Sequence, residues 1–344
     1  MGARTGLTTI LVTAAGAPGA ARLIRALREN GEREVRLVGV DMNDGAIGRH
    51  LRDGFHVVPA GSDPEYPDAL LEIVEREGVD VVLPESSHDL PHLSARRGEF
   101  PVPVLVSGPE TVRRANDKAE FYALMHEIGV PAPAFRRVSG AAGVDAAARE
   151  LGYPDRPVCF KPVHSSGSRG FRILDPTVDR AHQLLEERPG ALAMRLEEAV
   201  EVLPNEGVDL LVMELATGDE RTVDGIADGR RVVLGHPKTR QGLRAGLAMS
   251  FVTIDAPELD EMADRIVAAL EIEWFFNVQL VGDYVIEVNP RISTIVYQED
   301  LNLPWLAVKR ALGEISDDEL AALRSRVRPG RSVLRFFDQV EWDA

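Results

Sequence analysis

The amino-terminal part of the chain alternates short apolar runs with amphipathic stretches. Residues 9–12 and 35–40 are mostly apolar and are typical of strands, whereas the apolar positions of 18–30 fall on one face of a helix that ends at Gly31. The same order continues with a predicted strand at 55–59, a helix at 66–77, and strands at 79–83 and 102–106. Strands separated by helices predict a parallel βαβ domain over residues 1–108.

The pattern changes after Gly108, where we place a domain boundary. A helix after Pro109 is predicted to stop at 129–133, because glycine and two prolines make that segment a connector. Beyond it, strands are predicted at 158–161, 209–215, 221–227, 231–234, 275–281 and 285–288, and helices at 177–187, 257–271 and 305–312. Short β pairs outnumber parallel crossovers there, which favours an α+β fold over 109–208 and 209–315. The extension 316–344 is expected to add a helix and an edge strand.

Composition and charge narrow the function classes. The 344 residues include 39 Lys and Arg against 55 Asp and Glu, for a formal charge of −16. Such a surface repels nucleic acid and anionic lipid, so neither is an expected partner. One cysteine, Cys159, cannot form an internal disulfide, and no apolar stretch reaches the roughly 18 residues of a membrane span. We therefore expect a cytoplasmic globular protein without a signal peptide.

A glycine-containing turn, Ala14–Gly19, lies between the first strand and helix, and Asp41 closes the next strand. This order resembles a dinucleotide-binding fingerprint, in which the acid would bind a ribose. However, Ala14 replaces the first glycine, and Pro18 stands where the backbone should approach a pyrophosphate. The turn is therefore more typical of one that packs the helix or contacts a different substrate.

Lys161 closes a predicted strand and precedes a loop rich in glycine and serine. Backbone N–H groups near Gly167 and Gly170 could bind triphosphate oxygens, while the Lys161 ammonium neutralises them. The lysine precedes the glycines, so this is not a Walker A loop. Taken alone, the segment is also typical of a flexible hairpin.

Three oxygen-bearing side chains stand close together late in the sequence. Glu287 and Asn289 are two residues apart, so on a strand they share one face. Gln279 would lie opposite Glu287 if Gly282–Tyr284 forms a three-residue turn, and on the other face if the turn has two residues. Converging oxygens suit Mg²⁺, which keeps its remaining positions for water and phosphate. The alternative is a hairpin with solvated polar residues.

Two further segments carry weaker signals. The apolar strand 211–215 runs into an acidic turn before Glu220, and a strand end of this kind can pair with adenine, although it is by itself ordinary. The run 86–89 (Ser-Ser-His-Asp) cannot supply a hydrolase triad, because neighbouring side chains diverge. Its position after a parallel strand makes the residues Glu85, Ser87 and His88 candidate substrate contacts.

In this order, the segments resemble those of ATP-grasp enzymes, and most of all the branch related to the carbamoyl-phosphate synthase large subunit. The resemblance spans about residues 8–315 and is carried by Asp117-Lys118, Lys161 with the loop 165–170, 213–215 with Glu220, 277–279 and 287–291. It implies two α+β subdomains that hold ATP, the small one at 109–208 and the carboxyl-terminal one at 209–315. A parallel βαβ domain precedes them.

The resemblance also implies roles for individual residues. The phosphates are expected to contact Lys118, Lys161, Ser165, Ser166, Gly167 and Ser168. Adenine and ribose are expected to contact Met213, Glu214, Leu215, Ala216 and Glu220. Two Mg²⁺ ions, for which Mn²⁺ could substitute, are expected on Gln279, Glu287 and Asn289. Arg291 and Arg240 would hold the substrate carboxylate or the transferring phosphoryl group. Many relatives carry a carboxylate where Gln279 stands, so the metals here should depend more on the charge of the nucleotide.

The chemistry implied is ATP-dependent ligation of a small, amino-acid-like carboxylic acid to an amine through an acyl phosphate. Because that intermediate hydrolyses readily, a lid must exclude water, and the loop 165–170 is the candidate. Alternatives are a kinase without ligation, a non-catalytic ATP-binding regulatory protein, and a dinucleotide oxidoreductase that uses the Gly16 turn. The expected partners are a small acid and an amine, with a homodimer as the assembly that the family suggests.

Overall fold

The computed structural model describes residues 6–165, 169–187, 192–242, 247–293, 301–336 and 338–342. The chain forms two compact units, and neither is continuous in sequence. The first unit comprises Met1–Ala115, Glu220–Gln279 and Val288–Ala344, and the second comprises Asn116–Asp219 and Leu280–Glu287. The four-part division predicted at 108, 208 and 315 stays a prediction.

The strands are β1 (Thr8–Val12), β2 (Val35–Asp41), β3 (Gly54–Val57), β4 (Val81–Leu83), β5 (Phe135–Ser139), β6 (Val158–Pro162), β7 (Arg172–Leu174), β8 (Ala193–Met194), β9 (Asp209–Glu214), β10 (Glu220–Asp228), β11 (Val232–Thr239), β12 (Ser250–Val252), β13 (Glu273–Val281), β14 (Tyr284–Asn289) and β15 (Ser332–Leu334). The helices are α1 (Ala20–Arg28), α2 (Gly48–Leu51), α3 (Tyr66–Glu77), α4 (Leu90–Arg96), α5 (Pro109–Asn116), α6 (Lys118–Glu127), α7 (Gly140–Glu150), α8 (Arg180–Leu185), α9 (Leu196–Val202), α10 (Pro257–Leu270), α11 (Leu303–Ala311) and α12 (Asp317–Ala322).

The amino-terminal sheet of the first unit has the order β3-β2-β1-β4, and its strands pair in parallel. Every residue of β1 is buried, including its two threonines, as expected for a central strand covered on both faces. Gly78 ends α3 in the left-handed conformation, at φ 62°, where glycine avoids a steric penalty. The predicted parallel βαβ domain is confirmed.

The strand predicted at 102–106 is wrong, because this segment makes only a single bridge between Val104 and Val82. The Val82 N–H donates to the Pro103 carbonyl and the Leu105 N–H to the Val82 carbonyl, both at 2.9 Å. Extending this parallel ladder would need an N–H from Pro103 in one direction and from Pro84 in the other. Proline has none, so the pairing stops after one residue.

One face of the parallel sheet shares its hydrophobic core with residues much later in the chain. Ile10 and Leu27 belong to the same buried cluster as Phe275 and Trp305, and all four lie in the first unit. The opposite face packs on α3 and α4 through a second cluster that contains Tyr66. The first unit is therefore one packed body rather than a free-standing amino-terminal domain.

A second sheet has the order β11-β10-β13-β14, and the tip of its β13–β14 hairpin, 280–287, belongs to the second unit. The strand predicted to end at Leu234 continues to Thr239, because Lys238 is buried in it as the ion-pair partner of Asp224 on β10. The carboxyl-terminal extension adds α12 and β15, which pairs with β12. The predicted helix and edge strand are thus confirmed.

The second unit is built on a five-stranded sheet in the order β5-β9-β6-β7-β8. β9 is paired on both sides, antiparallel to β5 and β6, which buries its apolar run 210–213. α7 and α9 cover one face. Burial raises the pKa of the Cys159 thiol on β6 to about 12, so this cysteine behaves as a small apolar residue.

Candidate functional site

Lys161 lies near the end of β6 and is tied to β14 by two successive hydrogen bonds within the second unit. Its Nζ donates to the hydroxyl of Tyr122 at 2.9 Å, and that hydroxyl donates to the carbonyl of Ile286 at 2.6 Å. The ammonium also lies 5.1 Å from the centroid of the Tyr122 ring. The lysine is therefore fixed beside the residue that precedes Glu287 in β14.

Lys118 is the first residue of α6, and it holds the base of the glycine- and serine-rich loop. Asp117 caps this helix by accepting from the Ala119 and Glu120 N–H groups. The Lys118 Nζ donates to the carbonyls of Ser165, at 2.5 Å, and Val163, at 3.3 Å. The predicted loop residues Ser166, Gly167 and Ser168 lie outside the described residues.

The two lysines and Glu287 act on one another electrostatically. Burial lowers the pKa of both lysines, to about 8 for Lys118, while the Glu287 carboxylate opposes the shift in each. Lys161 also lowers the pKa of Lys118 through repulsion. The Asp117 carboxylate also acts on Lys118. Because burial disfavours both ammonium groups, a bound anion would stabilise them.

The predicted adenine-binding segment coincides with the end of the central strand β9. Met213 and Glu214 are still paired with neighbouring strands, whereas Leu215 and Ala216 lie past the last paired residue. The Glu214 carboxylate accepts from the Ala134 N–H at 3.1 Å and pairs with Arg156 at 3.1 Å. Glu214 thus already has partners, and the backbone of Leu215 and Ala216 is the better placed part for a base edge.

A row of amide side chains lies on one face of the β13–β14 hairpin. Gln279 Nε2 donates to Asn277 Oδ1 at 2.7 Å, and Asn289 Nδ2 donates to the same oxygen at 3.3 Å. Asn277 is itself buried and donates to Thr222 and Asp224. These bonds orient the Gln279 and Asn289 amides, so that their oxygens point away from Asn277.

The turn between β13 and β14 has two residues, but the side chains beside it do not lie on the faces that a regular two-residue turn would give them. β13 ends at Val281 and β14 begins at Tyr284, so only Gly282 and Asp283 connect them. A regular two-residue turn would put Gln279 and Glu287 on opposite faces. Nevertheless, Gln279 and Asn289 both reach Asn277, so they share a face, and Glu287 alternates in step with Asn289 along β14.

Arg240 links two predicted site residues of the first unit. Its Nη1 donates to Glu220 Oε2 at 3.0 Å and to Gln279 Oε1 at 2.8 Å. Burial raises the pKa of Glu220, and the Arg240 charge opposes that shift. Because a guanidinium occupies the Gln279 oxygen, a metal ion could use this oxygen only after Arg240 moved.

The described residues contain no cluster of three His, Cys, Asp or Glu side chains that could hold a metal by themselves. The oxygens that suit Mg²⁺ are instead one carboxylate and one amide on the same strand, Glu287 and Asn289. Such a small protein ligand set is typical of Mg²⁺ that also binds substrate phosphates. Of the three candidate ligands, Glu287 is the one whose oxygens accept from no described arginine. The amide oxygens of Gln279 and Asn289 could reach an ion only after Arg240 and Arg291 moved.

Arg291 lies just past β14 and reaches the carboxyl edge of the parallel sheet. Its Nε donates to Ser87 Oγ at 2.8 Å and its Nη1 to the Ile292 carbonyl at 2.9 Å. Its Nη2 is 3.4 Å from Asn289 Oδ1. The structure therefore brings together Arg291 and Ser87, which the sequence analysis predicted separately as candidate substrate contacts.

The glycine-containing turn after β1 is closed by its own neighbours. Asp41 accepts from the N–H groups of Gly16, at 2.7 Å, and Asn43, at 2.9 Å. Gly48 lies so close that an added Cβ would stand 2.5 Å from the Ala15 Cβ. The carboxylate of Asp41 thus organises the turn itself, which disfavours a dinucleotide at this place.

Sequence reasoning missed several residues that complete these arrangements. Tyr122 reads as an apolar position of α6, and nothing in its local sequence indicates the hydrogen bond to Lys161. Asn277 was noted only as part of a motif, although it orients both neighbouring amides. Sequence reasoning also missed the buried ion pair between Lys238 on β11 and Asp224 on β10.

Comparisons with known proteins bear on both halves of the chain. Residues 10–105 match the family described as PylC-like, N-terminal domain. Residues 206–330 match the family described as ATP-grasp in the biosynthetic pathway with Ter operon. The two matches confirm the ATP-grasp resemblance and the predicted order of an α/β domain followed by an α+β fold.

Solved structures with the same fold include three enzymes. An L-amino acid ligase from Bacillus licheniformis is 16% identical, with a TM-score of 0.63 over 94% of this chain and 78% of that chain. A carboxyaminoimidazole ribonucleotide synthase from Aspergillus clavatus, complexed with ATP, is 16% identical, with a TM-score of 0.64 over 91% and 79%. A biotin carboxylase from Campylobacter jejuni is 18% identical, with a TM-score of 0.62 over 90% and 72%.

Within the described part of the chain, no helix is both long and apolar enough to cross a membrane.

Proposed function

We propose that this chain, an ATP-grasp protein with a PylC-like N-terminal domain, is an ATP-dependent carboxylate–amine ligase. It would activate a small, amino-acid-like carboxylic acid as an acyl phosphate and join it to an amine, with release of ADP and phosphate. The observation that carries the proposal is the hydrogen-bonded connection from Lys161 through Tyr122 to Ile286, beside Glu287. The Lys161 ammonium and the Glu287 carboxylate thus act on one another in one partly buried environment, which supports a role for both in binding a metal-bound triphosphate.

The second unit supplies the groups for the triphosphate. Lys161 and Lys118 would neutralise phosphate oxygens, and their pKa values, lowered by burial, would rise again once an anion binds. Ser165, whose carbonyl accepts from Lys118, starts the loop that would cover the phosphates. Leu215 and Ala216 would offer backbone groups to adenine, and Glu220 would serve the ribose.

Glu287 would hold Mg²⁺, with Asn289 and Gln279 as further ligands when Arg291 and Arg240 release their amide oxygens. A bound Mg²⁺ supplies charge neutralisation at the phosphate oxygens. Arg240 would then be available for the transferring phosphoryl group. The Gln279 oxygen would thus exchange Arg240 for the metal ion, while Arg240 would exchange Gln279 for the phosphoryl group. Arg291 would orient the substrate carboxylate.

The reaction proceeds in two displacements. A carboxylate oxygen attacks the γ-phosphorus, the bond to the β,γ-bridging oxygen breaks, and ADP leaves. The amine nitrogen then attacks the acyl carbon, inorganic phosphate leaves, and the amine loses a proton. Bringing two anions together is the main barrier to the first displacement, so it depends on the lysines, the arginines and the metal.

The relatives support this choice of reaction. The similar structures are an L-amino acid ligase, a carboxyaminoimidazole ribonucleotide synthase and a biotin carboxylase. The first acts on an amino acid, and the second is complexed with ATP. We carry over ATP and an amino-acid-like acid as the substrates to be tested.

The experiment incubates the purified protein with ATP, Mg²⁺, hydroxylamine and a panel of amino acids and other small acids. Hydroxylamine traps an acyl phosphate as a hydroxamate, which mass spectrometry identifies. We expect ADP and hydroxamate in equal amounts with at least one acid, and neither product with Glu287→Gln. ADP release without hydroxamate would indicate a kinase, and no ADP release with any acid would refute the ligase.

A further inference from the structure

Two buried residues, one acidic and one basic, lie at the carboxyl edge of the parallel sheet, and some of their side-chain atoms have no hydrogen-bond partner among the described residues. Glu85 follows β4 and is 3% exposed, while Arg52 follows α2 and is 9% exposed. Among the described residues, Glu85 Oε2 and the Nε and Nη2 atoms of Arg52 have no partner. Buried charged atoms without partners are costly and concentrate where a ligand will satisfy them.

The buried position of Arg52 requires a glycine at position 39, in the middle of β2. Its side chain crosses β2 at Gly39, where an added Cβ would lie 2.5 Å from Arg52 Cδ and 2.7 Å from Nη1. Nη1 then donates to the Val12 carbonyl, at the end of β1, at 2.7 Å. A glycine in the middle of a strand is otherwise unfavourable, so this arrangement serves the arginine.

Glu85 is held equally firmly at the same edge. Its backbone N–H donates to Thr13 Oγ1 at 3.2 Å, which ties the segment after β4 to the segment after β1. The carboxylate is attracted by Arg52, Arg291 and Arg335, and repelled by Asp89. In open parallel sheets, ligands bind at this carboxyl edge.

We propose that Glu85 binds the ammonium group of an α-amino acid whose carboxylate is held by Arg291, so that the site selects zwitterionic acids for activation. The assignment rests on the proposed ligase function and names its substrate class. Glu85 Oε2, which has no partner among the described residues, is the atom that an ammonium group would complete, and the Arg52 guanidinium attracts this carboxylate. Arg52 is a positioning residue, since it keeps Glu85 anionic when the ammonium is bound.

A zwitterion and a simple acid should differ in their effect on the protonation of Glu85. Burial raises the pKa of Glu85 to about 8, and the three arginines oppose that rise. At pH 7 the ligand-free carboxyl is therefore mostly protonated. An arriving ammonium favours the carboxylate, so binding should release a proton to the buffer, which a ligand without an ammonium would not cause.

The test compares pairs of acids that differ only at the α position, such as alanine with lactate and phenylalanine with phenyllactate. For the preferred side chain, the wild-type kcat/KM for ADP release should favour the amino acid about 10- to 150-fold, the range for a hydrogen bond to a charged group. Glu85→Gln should reduce this preference to within about threefold, whereas Glu85→Asp should retain part of it. Glu72→Gln, on the exposed side of α3, serves as the matched control and should keep the full preference.

Calorimetry in buffers of different ionisation enthalpy gives a second readout. The wild-type protein should release close to one proton per amino acid bound at pH 7, and Glu85→Gln none. Equal kcat/KM for both members of each pair, or an unchanged preference in Glu85→Gln, overturns the assignment while leaving the ligase intact. Failure of every acid to support ADP release refutes the ligase itself and the assignment with it.

Discussion

At the scale of single residues, Tyr122 is the group that connects the two halves of the proposed nucleotide site within the second unit. Its hydroxyl accepts from Lys161 and donates to the Ile286 carbonyl. Tyr122→Phe leaves the carbonyl and the ammonium without this partner, so we expect the free energy of unfolding to fall by about 1–3 kcal/mol. Urea denaturation measures this change, and the KM for ATP should rise as Lys161 loses its orientation.

Tyr284→Phe is the matched control, because it removes a hydroxyl from the first residue of β14. It should leave both quantities close to the wild-type values. If Tyr122→Phe also changed neither quantity, the hydrogen-bonded connection would not support the site.

Glu85 makes a separate prediction about pH. Its folded pKa, raised to about 8 by burial, lies above the ordinary value of 4.5, so the folded state binds more protons between these values. Stability should therefore fall as pH rises from about 5 to 8, by at most about 1.4 kcal/mol per pH unit. Chemical denaturation across this range should show a flatter profile for Glu85→Gln.

A residual slope below pH 6 should survive in Glu85→Gln. Burial also raises the pKa of Asp89, to about 6, and the effect has the same sign. Arg52, Arg291 and Arg335 stay charged throughout this range, so they do not add to the slope. A wild-type profile parallel to that of Glu85→Gln would contradict a raised pKa at Glu85.

At the scale of elements, helix α6 presents both Lys118 and Tyr122, so its amino-terminal cap affects the site. Asp117 accepts from the Ala119 and Glu120 N–H groups, at 2.9 and 3.0 Å. Asp117→Ala should lower the free energy of unfolding by about 0.5–2 kcal/mol and should also raise the KM for ATP.

Asp179 offers a matched comparison, because its carboxylate caps α8 in the same way. It accepts from the Ala181 and His182 N–H groups. Asp179→Ala should cost a similar or smaller free energy of unfolding, since α8 is exposed. It should leave the KM for ATP unchanged. Equal effects of the two substitutions on the KM would mean that α6 has no special role.

At the scale of the whole molecule, the sequence indicated those parts of the fold that depend on local periodicity. The helix 66–77 was predicted with its observed bounds, and the strand predicted at 285–288 lies within β14. The strand at 102–106 failed because two prolines, one in a distant segment, limit its pairing. Such a limit is visible only once the partner strand is known.

The candidate site likewise contains residues that the local sequence indicates and residues that it does not. Lys161 and Glu287 could be predicted as candidate site residues because each is a charged residue in a predicted strand and lies close to a distinctive sequence motif. Arg52 could not, since it follows a short helix and has the sequence context of a surface residue; its burial depends on Gly39, in a strand that must first be placed beside it. Predicting such residues requires knowing which segments distant in sequence lie beside them, and the residue type alone does not give this.

The central claim is that a substrate carboxylate attacks the γ-phosphate of ATP, and transfer of an oxygen isotope tests it most directly. An acid that supports ADP release is labelled with ¹⁸O in its carboxylate and incubated with ATP, Mg²⁺ and an amine, and the released phosphate is analysed by mass spectrometry. The account predicts one ¹⁸O atom from the acid in each phosphate, because the acyl–oxygen bond breaks when the amine attacks. Phosphate that carries no ¹⁸O from the acid would contradict the acyl phosphate and the ligase built on it.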